Sequence, residues 1–390
     1  MSSNARRLIA SKVASQLGDL LCNAKTTVTW LMLAAGAPAG LVGLLVPVRE
    51  SGSMLPQVFI APWVQGFEPR KRVAIGALLA QTVATVVLAG MAYATTGMLA
   101  GIGIVAALGV LSLARAFASL ANKDVLARAI PKGTRGKVNG RATSLAGLLG
   151  LGGAAATLFV QRPESVGVLA LVVGAGAIGF GLSALTLLRV EETDEKGKDD
   201  GKPSLRDALA DARLRRFVLV RTLLTGSALG GPFIVALGRE GTTSLQTLSA
   251  FVLAGGAASF VSAGAWGRLA DVSGRGCMAA GGALATLAAG VVLATQAPLP
   301  DLPIWAWAAL YFLFTIGYTG VRVGRKTYVV DIAEGDERTQ FVASSNTLVA
   351  IALLAIGAGM AAIPSATVSL MVCAAITAAG ALGCAALAKA

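Results

Sequence analysis

An all-α integral membrane protein of twelve transmembrane helices, built as two six-helix bundles, is the fold class that three features of the sequence predict. The 390 residues are 55% hydrophobic and only 14% charged, where a soluble domain carries roughly a quarter charged residues. Unbroken apolar runs of about 20 residues, the length that crosses hydrocarbon as a helix, fill most of the chain, and the short alternating segments of a membrane barrel are missing. The two halves also match at one constant offset: Trp63 with Trp266, Glu68 with Asp271, Arg72 with Arg275, Lys123 with Lys326, Arg135 with Arg338 and Leu145 with Leu348. A parallel repeat of six helices is a transporter architecture.

The spans fall at residues 13–36, 40–65, 73–95, 98–121, 141–160, 166–189, 216–238, 244–266, 276–296, 304–323, 342–363 and 366–388. The first is preceded by Arg6, Arg7 and Lys12, contains Asp19 and Lys25, and lacks a small-residue cleavage site, so it is expected as a helix and not a signal peptide. The connections after odd-numbered spans are short and nearly neutral, as in QRPES and IPSAT. Those after even-numbered spans are basic: EPRKR, and KDVLARAIPKGTRGKVNGR with six basic residues against one acid. The bias places the basic connections, among them 67–72, 122–140 and 324–340, and both termini, on the cytoplasmic side of the cytoplasmic membrane. Residues 1–190 and 216–390 form the two bundles. Residues 191–215 form a cytoplasmic linker, whose EETDEKGKDDGKP is too charged to pack and whose Ser204 and Asp207 suit a capping box.

The formal charge of +13 would suggest nucleic acid in a soluble chain, but its confinement to alternate connections removes that reading. Cys22, Cys277, Cys373 and Cys384 have no metal-ligand or CxxC spacing and lie in or beside apolar segments, as core thiols do. There is no histidine, no Walker loop and no nucleophile-base constellation. No cofactor, metal or enzymatic activity is expected, and no filter signature suggests a channel.

Between spans eight and nine stands GRLADVSGR, whose Gly267, Asp271, Gly274 and Arg275 resemble the loop signature of the major facilitator superfamily. Val272 stands where that family usually has a basic residue. The first-half copy, WVQGFEPRKR, keeps Glu68 for the acid and Arg72 within a basic cluster. The resemblance implies secondary transport by alternating access, with these residues as a conformational gating loop whose acid caps a neighbouring helix end. The glycines of span five, Gly147, Gly150, Gly152 and Gly153, resemble a Gly-rich motif of the family's antiporters without its proline, and helix packing is their first reading.

Polar groups within the spans mark the candidate site, because a charge at membrane depth is costly and is seldom turned to lipid. As one continuous helix, span one would place Asp19, Asn23, Thr26 and Trp30 on one face, with Lys25 about 120° away. Span two carries Arg49, Glu50, Ser53 and Gln57 at its centre, Arg115 lies in span four, and Tyr318 is its repeat equivalent in span ten. Arg221 lies in span seven. Lys25, Arg49, Arg115 and Arg221 outnumber Asp19 and Glu50, so an anion completes the site unless some cations reach the surface. The expected solute-binding residues are Arg49, Lys25, Asn23, Ser53, Gln57, Arg115 and Tyr318. Glu50, paired with Arg49, and Asp19 are the carboxylates able to carry a coupling proton. These features predict a monomeric, proton-coupled transporter of a small organic anion. The alternative is a proton-driven drug or amphiphile efflux antiporter.

Overall fold

The computed structural model describes residues 2–56, 59–60, 69–131, 134–158, 165–191, 211–241, 243–296, 302–332 and 337–388. The expectations for Gln57, Glu68, Ser204 and Asp207 lie outside these residues. The helices are α1 (Ser3–Leu21), α2 (Thr27–Ala34), α3 (Val42–Met54), α4 (Arg70–Ala94), α5 (Gly97–Ala129), α6 (Arg135–Thr157) and α7 (Val166–Leu188). They continue with α8 (Ala212–Leu223), α9 (Gly226–Gly241), α10 (Leu245–Val272), α11 (Gly274–Gln296), α12 (Ile304–Asp331), α13 (Glu337–Ala361) and α14 (Ala366–Gly383). Among the described residues nine helical segments are long and apolar enough to cross a membrane, α8 and α9 counting together as one. Leu99, Leu171, Phe260 and Leu287 are more than half exposed, an apolar surface suited to lipid and not to water. Several helices begin where a serine precedes an apolar run. Ser165, Ser244 and Ser365 accept hydrogen bonds from the amides of Val168, Thr247 and Val368, the side-chain cap that an isolated helix start requires.

The expected first span is not one helix. The Asn23 side-chain oxygen accepts from the Lys25 amide at 2.8 Å, the Asn23 carbonyl accepts from Val28 N, and the Thr29 hydroxyl donates to the Ala24 carbonyl. These local bonds replace the helical ladder between Leu21 and Thr27, so the single face shared by Asp19, Asn23, Thr26 and Trp30 does not exist. The second half repeats the interruption at the equivalent place. There α8 ends at Leu223 and α9 starts at Gly226, with the Thr225 and Ser227 hydroxyls donating to the carbonyls of Thr222 and Leu224.

The contacts divide the chain into two compact units, residues 1–37, 48–153 and 165–199, and residues 38–47, 154–164 and 200–390. Inside the first, α4 packs on α5 and α7, and α1 packs on α7. Inside the second the equivalent helices pair in the same way, α11 with α12 and α14, and α9 with α14. Glycine allows the closest crossings. A Cβ on Gly179 of α7 would lie 2.6 Å from the Ala14 carbonyl of α1, and one on Gly281 of α11 would lie 2.6 Å from the Val321 amide of α12, as small-residue helix packing demands. Gly147, Gly152 and Gly153 meet nothing within 4 Å, while a Cβ on Gly150 would meet Leu20. The span-five glycines as a group are therefore not a close-packed seam among the described residues.

Two connections expected as loops are largely helical. Helix α5 continues to Ala129 and α6 starts at Arg135, with the Arg135 guanidinium donating to the Ala127 and Ile130 carbonyls that end α5. Likewise Gly267 and Asp271 lie within α10, Gly274 opens α11, and Ser273 alone separates the two helices. Asp271 is exposed, and among the described residues it makes no hydrogen bond or ion pair and caps no neighbouring helix. Arg275 instead donates to the Leu387 carbonyl at 2.9 Å, tying down the end of the last helix. The first unit holds its last helix similarly: Lys71 donates to the Val190 carbonyl at 2.8 Å, Arg7 to the Arg189 carbonyl and Asn4 to the Glu191 carbonyl. Arg72 is exposed, whereas its neighbour Arg70 is buried and lies 3.7 Å from Asp124.

Candidate functional site

Three charged side chains converge inside the first unit. Asp19 sits in the last turn of α1, where the interruption at Asn23 ends the helix. Its Oδ1 accepts from Arg49 Nη2 of α3 at 2.6 Å and from Arg115 Nη1 of α5. The Arg49, Asp19 and Arg115 side chains retain 12%, 20% and 39% of their surface, so Arg49 is the most enclosed. One carboxylate thus faces two guanidiniums, an excess of one positive charge. Arg49 Nη1 is buried and has no hydrogen-bond partner among the described residues, so among them one donor pair of this guanidinium is left unused, a costly arrangement in a low-dielectric site.

This geometry changes the expected pairing. Arg49 is bound to Asp19 and not to Glu50. Among the described residues the Glu50 carboxylate takes part in no ion pair, while its backbone carbonyl accepts from the Ser53 hydroxyl at 2.8 Å. The Asn23 side chain is used in the turn that separates α1 from α2, and Lys25 stands in that turn as a partly buried residue. Tyr318 belongs to the second unit, where its ring lies 5.8 Å from the Arg322 guanidinium carbon. Arg221 is buried in the last turn of α8, donating to the Ser345 hydroxyl at 3.0 Å and the Asn346 side-chain oxygen at 2.8 Å, a place where a cation also suits the helix dipole. All four cysteines are buried thiols.

Beside the triad lies a cavity of about 360 Å³ that sequence reasoning did not anticipate. Helix α1 lines it with Ser11, Lys12, Ser15, Gln16 and Asp19, and α5 lines it with Arg115, Ser119, Asn122 and Lys123; Gln81, Asn139 and Ser183 complete its polar wall. The Lys12 ammonium donates to the Asn139 side-chain oxygen. The signal was present in the spacing. Steps of three and four residues put 12, 15, 16 and 19 on one face of α1 and 115, 119, 122 and 123 on one face of α5. A second, larger groove of about 1180 Å³ runs between α1, α6 and α7 and is almost wholly apolar, with Arg6 and Arg141 as its basic residues.

Apolar helices of membrane-spanning length, and helix pairings shared by the two halves with the first helix of each interrupted, define an integral membrane protein. The chain matches the Major Facilitator Superfamily over residues 21–356 and belongs to that family of transporters. Solved structures with the same fold include the nucleoside transporter NupG (TM-score 0.74, 10% identity, covering 98% of this chain and 100% of that one). Another is the POT family transporter PepTSo (TM-score 0.73, 13% identity, 99% and 98%). The inward open xylose transporter XylE from E. coli is also similar (TM-score 0.70, 11% identity, 98% and 96%). No curated protein sequence matches the chain. At these identities the structural likeness speaks to the fold alone. The protein is an integral membrane transporter and not an enzyme.

Proposed function

We propose that this protein is a proton-coupled secondary transporter of a small organic anion, working by alternating access. Its two halves, 1–190 and 216–390, are six-helix bundles of a twelve-span monomer joined by the linker at 191–215, with both termini on the cytoplasmic side of the cytoplasmic membrane. The observation that carries the reading is the single Asp19 carboxylate held by both Arg49 and Arg115. An anion arriving at these guanidiniums competes with Asp19 for the same donors. When Asp19 takes a proton, the solute supplies the negative charge that the carboxylate gave up, and the planar donor fork of Arg49 suits a carboxylate or phosphate. Proton and solute then bind together, which is the thermodynamic requirement of coupling. Asp19 is the coupling carboxylate in this mechanism, and Glu50, without an ion pair among the described residues, has a secondary place. Gly267, Asp271, Gly274, Arg275 and Arg72 belong to the gating elements, biasing one state over the other without touching solute.

The apolar groove favours a second reading, efflux of an amphiphile. Leu145, Leu149, Ile178 and Leu182 on its walls are about half exposed or more, as a lipid-facing surface is. Asp19 and Arg115 line the polar cavity instead, which supports an anionic solute. Purified protein in liposomes containing a pH-sensitive dye, challenged with small carboxylates, organic phosphates and cationic dyes, separates the two. Proton movement with an anion supports the proposal, and proton movement with cationic dyes alone supports the alternative.

A further inference from the structure

We propose that the polar cavity of the first unit is a two-ended subsite for a solute bearing anionic groups at both ends. This inference deepens the reading above and rests on it. The cavity has cationic groups at two levels. Asp19 and Arg115 mark one level, and Lys12 and Lys123 mark the other. Lys12 precedes Asp19 by seven residues on α1 and Lys123 follows Arg115 by eight on α5, a separation of about 10–12 Å along the helix axes at 1.5 Å per residue. At the Lys12 level no carboxylate lines the cavity among the described residues. Lys12 is held by the neutral Asn139, and Asp124, outside the cavity lining, lies 3.7 Å from Arg70 and shares its charge among Arg70, Arg128 and Lys123. Lys12 is itself partly buried, so its charge is worth more to a ligand than that of a fully solvated lysine.

The volume of about 360 Å³ sits at the small end of ligand pockets. It suits a short dicarboxylate or a phosphorylated hydroxy acid and is too small for a nucleotide. Between the charged ends the wall is hydroxyl and amide, from Ser15, Ser119 and Asn122, which matches a solute with hydrogen-bonding groups along its middle. Arg115 on the cavity wall, together with Arg49 behind the Asp19 carboxylate that it holds, takes the group that answers to Asp19, and Lys12 and Lys123 take the distal group.

Calorimetry on the purified protein at fixed ionic strength tests this with succinate and 3-phosphoglycerate as two-ended anions and butyrate as the one-ended anion. The two-ended anions should bind at least tenfold tighter than butyrate. In Lys12→Gln that ratio should fall toward one, and Lys12→Arg should restore it. Arg49→Lys should weaken binding of all three alike. Equal affinity for butyrate and both two-ended anions, or a two-ended preference that survives in a folded, monodisperse Lys12→Gln, overturns the subsite while leaving anion transport standing. If no anion binds at all, the subsite and the function reading fail together.

Discussion

Asp19→Asn isolates the step on which the proposed coupling depends. The amide keeps the shape of a protonated carboxyl group but removes the charge shared by Arg49 and Arg115. In the native protein a solute anion seated on Arg49 lies roughly 6 Å from an ionised Asp19, and at an effective dielectric of about 20 their repulsion is about 2.8 kcal/mol. That corresponds to a factor of about 100 in Kd. The variant should therefore bind a transported anion about 100-fold more tightly than the native protein does under alkaline conditions, and its affinity should not change with pH. Leaving two guanidiniums without their carboxylate is also destabilising. The usual cost of about 3–5 kcal/mol for stripping one partner from a buried pair is an upper bound here, because Arg115 is partly exposed and is free to turn toward water. Anion binding should recover much of that loss. Calorimetric titration of the purified variant over a range of pH, with thermal melting in the presence and absence of the anion, measures both effects. Unchanged affinity with the native pH dependence intact would refute the reasoning and remove Asp19 from the coupling step.

Arg49→Lys keeps the charge but loses the planar fork, and with one charge-assisted hydrogen bond worth about 1.5–3 kcal/mol the affinity for the anion should fall about ten- to hundredfold. Glu50→Gln, which breaks no ion pair, should change it less than threefold in the same titration. Gly179→Leu places side-chain atoms against the Ala14 backbone and should cost about 1–3 kcal/mol or more, read as a lowered melting temperature of the purified protein. At the start of α8, burial pushes the Asp211 carboxyl up, but the side-chain and backbone hydrogen bonds from Arg213 and its charge outweigh this and hold the group below the usual carboxylate range. The stability that this cap contributes is present above the unfolded-state carboxylate pKa and is lost as pH falls through the lower folded-state value. Protection from hydrogen exchange at the first turn of α8, relative to the intrinsic rate at each pH, should fall on acidification in the native protein and should be low at all pH values in Asp211→Ala.

The membrane class, the repeat and the family resemblance were legible because each rests on long-range pattern. Apolar runs register over 20 residues, and matched positions such as Trp63 and Trp266 persist across the halves. The interruption of the first span was not visible in hydropathy, since residues 27–34 are as apolar as any helix. Its signal was Asn23, whose side chain competes with the backbone ladder. Asp19, Arg49 and Arg115 stood out in the sequence as charges at membrane depth, but their pairing did not. Arg49 and Glu50 are neighbours in sequence, and adjacent helical positions point about 100° apart, so they do not face each other. The partner of Arg49 came from another helix, 30 residues away. Lys12, Lys123 and Asn139 escaped attention because their segments read as basic termini and connections. Once α5 extends to Ala129 and α1 begins at Ser3, the same residues become stripes on two helices that line one cavity.

Simultaneous measurement of proton and solute flux in proteoliposomes bears most directly on the central claim. With succinate or 3-phosphoglycerate as the probe and an imposed pH gradient, the native protein should accumulate the anion against its own gradient while the internal dye reports matching proton entry. Asp19→Asn should exchange the anion across the membrane without accumulating it or moving protons. Accumulation by the native protein with no accompanying proton movement, or proton-driven accumulation that persists undiminished in Asp19→Asn, would contradict the account.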